Sequence, residues 1–137
     1  MSDSEVVRRI AERAMGWEVV ERDSARHQEI ILCETPELTN ACMLIDGRLC
    51  KWTETRPGYI ELVAFTPLEN IADAFQVVEK MREREFRFSL EMTHYGRKGG
   101  AVFAPIIGAK SYADFQGGTA EAARAICLAA IAALEGE

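Results

Sequence analysis

Residues 119–134 read TAEAARAICLAAIAAL. The pattern predicts a helix over Ala120 to Leu134, with Thr119 as its N-cap and Glu121 in the first turn, where a carboxylate complements the helix dipole. From Ala125 to Leu134 no residue is charged, so this helix is apolar around its whole circumference. Such a helix has to be covered on more than one side, and one sheet covers only one. Alanines allow a sheet to approach closely, while Ile126, Leu128, Ile131 and Leu134 point in several directions. The second cover is either the amino-terminal helix of the same chain or a second copy of the chain, which would make a homo-oligomer contact through residues 120–134.

Moving outward, Val6, Val7, Ile10, Ala11 and Ala14 recur at helical spacing with Arg8, Arg9, Glu12 and Arg13 opposite them, so Ser4 to Met15 reads as an amphipathic helix ended by Gly16. A strand over Trp17–Val20 and another over Glu29–Cys33 follow, the two expected to pair antiparallel. Asp46-Gly47 is the signal for a two-residue hairpin turn within Ala41–Trp52. It pairs Ile45 with Arg48, Leu44 with Leu49, Met43 with Cys50 and Cys42 with Lys51. Tyr59–Phe65 is a further extended run behind the Arg56-Pro57-Gly58 turn. Thr66-Pro67-Leu68-Glu69 reads as N-cap, first helical position and capping box for a helix whose stripe is Leu68, Ile71, Phe75, Val78 and Met81, ending near Arg84 or Glu85. Phe86, Phe88, Leu90 and Met92 then alternate with polar residues as a half-buried strand. A glycine-rich hairpin loop over His94–Gly100 leads into a strand over Ala101–Ile107, and a short one lies near Ser111–Phe115.

The chain has 137 residues, 48% of them apolar, enough for a core within one domain. With 16 Lys+Arg against 22 Asp+Glu the net charge is −6, which disfavours general nucleic-acid binding. The apolar run 125–134 is far shorter than the roughly 20 residues a bilayer span needs, and MSDSEVVRRI lacks a signal-peptide apolar stretch, so the expected location is the cytoplasm, with no membrane partner. Four cysteines, Cys33, Cys42, Cys50 and Cys127, include no C-x-x-C pair and no histidine spaced to complete a zinc site, so no metal is expected. The hairpin register puts Cys42 and Cys50 on opposite faces of the ribbon, where they do not bridge.

Three strings resemble a known family. Ala14-Met15-Gly16-Trp17 at the end of the first helix, Phe65-Thr66-Pro67 with Ile71 to Met81 (IADAFQVVEKM), and Thr119 to Ala130 (TAEAARAICLAA) together resemble the phage ABA sandwich domain family over most of the chain. The resemblance implies a small helix/sheet/helix unit of phage or prophage origin and, since the matching residues are caps and core, no activity or site residue. The residues between about Pro36 and Pro57 stand out as an insertion relative to the shorter members. The expected fold is therefore α+β: one domain over 1–137, an antiparallel sheet with hairpins flanked by helices, and an inserted hairpin around 36–57.

Chemistry is sparse. In Thr93-His94-Tyr95-Gly96-Arg97-Lys98-Gly99-Gly100, glycines permit close backbone approach to a phosphate, Arg97 and Lys98 bring charge, and His94 or Tyr95 can stack on a base. Neither a Walker loop nor a dinucleotide fingerprint is present. Trp52, Arg56 and Tyr59 make a second aromatic and cationic group beside a Pro-Gly turn. His27 reads as a surface residue, and Glu79, Glu83 and Glu85 with Lys80, Arg82, Arg84 and Arg87 read as a solvated, ion-paired face. No nucleophile elbow occurs and no cysteine has an obvious histidine, so no catalytic residue and no cofactor is assigned. The expected function is binding without catalysis: capture of a small nucleotide-derived host defence signal through His94, Tyr95, Arg97, Lys98, Trp52 and Arg56. The alternative is a protein–protein interaction module that inhibits a host protein or acts in phage assembly.

Overall fold

Asp3 and Glu5 in the first turn and Arg8 and Arg9 in the last suit the dipole of helix α1 (Asp3–Arg9), where the Ser2 hydroxyl accepts the Glu5 N–H at 3.3 Å. The helix continues as one π-helical turn, Ile10–Ala14, closed by the Met15 N–H on the Ile10 carbonyl at 3.0 Å, and it ends at Gly16 with φ +72°. The expected helix is thus present, with its last turn widened so that Ile10, Ala11 and Ala14 are all buried.

This computed structural model describes residues 2–22, 41–45, 48–57, 59–95 and 97–136. They divide into two compact units, one of Met1–Met15 with Thr66–Glu137, the other of Gly16–Phe65. The class is α+β, with helices and two sheets where one sheet was expected.

In the first unit, α2 (Ile71–Glu83) starts four residues after the expected first position. Thr66–Glu69 forms a turn instead, with the Asn70 N–H on the Thr66 carbonyl at 2.8 Å. Asn70 is the N-cap: its Oδ1 accepts from Ala72 and Asp73 N–H at 2.9 and 3.2 Å. The Asp73 carboxylate meanwhile takes the Thr66 N–H at 2.8 Å, so the Thr66 amide is committed outside the helix. Asparagine caps better than threonine and here satisfies two orphan amides, which outweighs the Thr-Pro-x-Glu signature. The buried face is Ala74, Val77, Val78 and Met81, so Val78 and Met81 of the expected stripe are buried while Phe75 lies on the flank, edge-on to Phe88 at 6.3 Å. The helix closes in a Schellman pattern, Phe86 N–H on Met81 O and Glu85 N–H on Arg82 O, with Glu85 left-handed at φ 68°.

Strands β5 (Arg87–Glu91), β6 (Gly99–Ala104) and β7 (Ser111–Phe115) form an antiparallel sheet in chain order. One face lines up Phe88 with Phe103 and Ser111, and Leu90 with Ala101 and Ala113. β6 starts two residues before the expected Ala101 and stops at Ala104, so Gly99 and Gly100 belong to a strand. Each lies under an aromatic ring: a Cβ at Gly99 would stand 2.5 Å from the Phe115 ring, and one at Gly100 2.7 Å from Tyr112.

Helix α3 (Thr119–Glu135) begins one residue earlier than expected, with Gly118 at the N-cap and the Glu121 carboxylate accepting its N–H at 2.9 Å. It packs on β6 and β7, on α2, and on α1 with its π-helical turn. Two ion pairs bind the amino-terminal segment to it: Arg124 reaches Asp3 through two bonds of 2.8 Å, and Arg9 meets Glu135 at 2.6 Å. Of the two covers the sequence allows, the amino-terminal helix supplies one within the chain. In the uncharged run 125–134, Leu128 and Ala132 are the exposed positions, so the burial of this helix needs no second copy.

In the second unit, β1 (Glu18–Arg22), β2 (Ala41–Ile45), β3 (Arg48–Arg56) and β4 (Tyr59–Ala64) form one sheet in that order. The β2–β3 register is the one derived from Asp46-Gly47, Cys42 opposite Lys51 through Ile45 opposite Arg48. β1 runs parallel to β2, Glu18 beside Ala41. Its expected partner, 29–33, lies outside the described residues. On one face Trp17 meets Phe65 edge-on at 4.9 Å, and the Lys51 ammonium lies 5.0 Å from the centre of the Trp17 ring. The expected insertion, 36–57, falls within this unit.

Candidate functional site

The β5–β6 connection gathers four of the six expected ligand-binding residues. His94 and Arg97 form an antiparallel bridge, with the Arg97 N–H on the His94 carbonyl at 2.9 Å and the His94 N–H on the Arg97 carbonyl at 3.3 Å. A tip this tight forces its first residue into a left-handed conformation, and Tyr95 takes φ 47°. The Tyr95 ring, 91% exposed, lies against the His94 ring at a centroid distance of 3.9 Å. Arg97 and Lys98 are exposed, and no described ion pair contains either of them. Two cations beside a tilted pair of rings offer charge for an anion and, on the exposed Tyr95, a π-face for a planar group. Gly99 and Gly100 take no part in a phosphate cradle here, because their missing side chains make room for Phe115 and Tyr112. The Tyr112 hydroxyl is held by Asp114, which raises its pKa above the usual tyrosine range.

Trp52 and Arg56 belong to the other unit. Trp52 sits opposite Leu62 on the β3–β4 ladder and is 5% exposed, so its ring is not presented at the surface; among the described residues its Nε1 has no hydrogen-bond partner. Arg56 is exposed beside the register shift where β3 meets β4. Lys51, next along, donates to the Trp52 carbonyl at 3.2 Å, and burial pulls its pKa down. His27 and Cys33 lie outside the described residues.

The described thiols, Cys42, Cys50 and Cys127, are buried or half-buried. Cys127 is buried, its Sγ donates to the Pro67 carbonyl at 3.3 Å, and burial pushes its pKa up to about 12. Burial also raises Cys50, and Cys42, Cys50 and Cys127 form no disulfide among the described residues. Among those residues no three His, Cys, Asp or Glu side chains come together as a metal site, and no helix is long and apolar enough to cross a membrane.

One concave site escaped the sequence reading: a cavity of about 520 Å³ where Arg84–Phe86, Pro105–Ser111 and the end of α3 meet. Its residues are spread over three distant stretches. The sequence signals at those positions read otherwise, Ile106-Ile107 as the end of a strand and Arg84 as one member of an ion-paired face. The ion pairs of that face are Lys80 with Glu83 at 3.4 Å and Arg82 with Glu79 at 3.3 Å, and Arg84 is in neither.

An α+β chain with helices packed on its β5–β6–β7 sheet, a second sheet in its other unit, a basic aromatic hairpin tip and an open cavity is the class of protein these features define. The model of the phage ABA sandwich domain matches residues 8–131, and the chain belongs to that family, whose phage proteins have no assigned function. No curated protein and no solved structure matches it.

Proposed function

We propose that this phage protein works by binding, without catalysis, and that it sequesters a small nucleotide-derived anion of the kind a host uses as a defence signal. One observation carries the reading: the tip of the β5–β6 hairpin joins the His94–Tyr95 ring pair to Arg97 and Lys98, which enter no described ion pair in a chain of net charge −6. In such a chain cations left without carboxylate partners are positions where an anion finds little competition. A base stacked on Tyr95 with its phosphates on Arg97 and Lys98 would use both halves of the tip.

Melting the full chain against a panel of linear and cyclic nucleotides tests this. A ligand at a hundred times its Kd stabilises by about 2.7 kcal/mol, a rise of several degrees for a chain of this size. The Arg97→Gln/Lys98→Gln double variant is expected to lose the shift with its own melting temperature unchanged. Ligand released intact on denaturation marks sequestration, and released product marks an enzyme. If no nucleotide moves the melting temperature, the reading fails.

A further inference from the structure

The His94–Arg97 tip lies at one end of the β5–β6–β7 sheet and the 520 Å³ cavity at the other, where β5 and β7 start, β6 ends, and α2 and α3 reach their carboxyl ends. Strands of five or six residues at about 3.3 Å per residue separate them by about 16 Å or more, so the two are independent. The cavity volume lies within the range of about 300–1,000 Å³ found for small-molecule sites.

Its lining has two parts. Phe86, Pro105, Ile106, Ile107 and Ala133 give apolar walls. Ile106 and Ile107 are 67% and 91% exposed, adjacent apolar side chains left in water at the rim. The charged part is Arg84, Glu85 and Lys110, which sum to one positive charge. No described ion pair contains Arg84 or Lys110, although Lys80 and Arg82, just before Arg84 on α2, are both paired. Glu85 is set at the rim by the backbone, held left-handed by the Schellman bonds. Apolar walls beside two cations that enter no described ion pair suit an anion with an apolar body. We infer that this cavity binds an amphipathic monoanion, a compact apolar body carrying one carboxylate or sulfonate, its apolar part on Ile106–Ile107 and its charge facing Arg84 and Lys110.

8-Anilinonaphthalene-1-sulfonate has that composition and reports its own binding by fluorescence. Titrated onto the full chain, it is expected to saturate at one site per chain, to be displaced by octanoate, and to resist octylammonium and octanol at the same concentration. Arg84→Gln and Lys110→Gln are each expected to weaken it about three- to fivefold, the size of an exposed charge interaction. Glu85→Gln, which removes the opposing charge, tightens it. All three residues are exposed, so melting curves are expected to show folded variants, and Arg97→Gln/Lys98→Gln leaves the affinity unchanged. Emission that does not saturate, affinity indifferent to Arg84→Gln and Lys110→Gln, or displacement by octylammonium as readily as by octanoate overturns the assignment.

Discussion

Gly99 and Gly100 are neighbours in one strand and both buried, yet a methyl group would act differently at the two. At Gly99 the new Cβ would run into the Glu91 backbone carbonyl and the buried Phe115 ring, and neither obstacle can move without disturbing the β5–β6 ladder or the core. At Gly100 the obstacle is Tyr112, which is 59% exposed and can swing toward water once its exposed bond to Asp114 gives way. Gly99→Ala is therefore expected to destabilise by about 2–3 kcal/mol, as overpacking of a core does, and Gly100→Ala by less than about 1 kcal/mol. Denaturant unfolding of the two variants checks this, and equal losses would contradict it. The same pair shows what sequence reading misses at this scale: a double glycine after Arg97-Lys98 looks like a flexible phosphate loop, whereas its purpose depends on aromatic residues more than ten positions further on. Left-handed Tyr95, by contrast, is what a tight tip beginning at His94 requires.

At the scale of elements, strong local signals were legible and competing ones were not. Asp46-Gly47 admits one turn length, so the whole β2–β3 register followed from two residues and matches residue for residue. Thr66 was the expected cap of α2, whereas Asn70 caps it and the Asp73 carboxylate takes the Thr66 amide, a bond that only the folded chain displays. The amino-terminal cover of α3 depended likewise on a long-range event, the pairing of Asp3 with Arg124. That pair gives a pH test. The Arg124 guanidinium bonds the Asp3 carboxylate and holds its pKa below the usual value, so the folded state binds the proton less readily than the unfolded state. The stabilisation is then fully present above the ordinary aspartate pKa of about 4 and is lost as pH falls through the lower, folded value. Asp3→Asn is expected to melt below the parent chain at pH 7, with the difference closing as pH falls below the ordinary aspartate value of about 4. A difference that stays constant down to that pH would mean the ion pair contributes nothing.

For the whole molecule, chain order and cooperative order diverge. Met1–Met15 belongs with Thr66–Glu137, although the unit of Gly16–Phe65, whose strands β1 to β4 form a separate sheet, stands between them in the sequence. Length and apolar content suggested one domain and the family resemblance an inserted hairpin around 36–57, while periodicity marks elements but not which distant element each will meet. Ile10 is fully buried in the π-helical turn, which packs against α3 and α2. Its truncation to alanine leaves a cavity costing about 2–4 kcal/mol. Local opening in proteins follows cooperative units more than chain proximity. Hydrogen exchange on the full chain carrying Ile10→Ala is thus expected to speed exchange most at the amides of α3, more than a hundred residues away in sequence, and to affect β2–β4 less, though they are closer along the chain. Exchange that rises first in β2–β4 would show that the amino-terminal helix is energetically part of the sheet it precedes, and the division into a discontinuous and a continuous unit would not describe how this protein holds together.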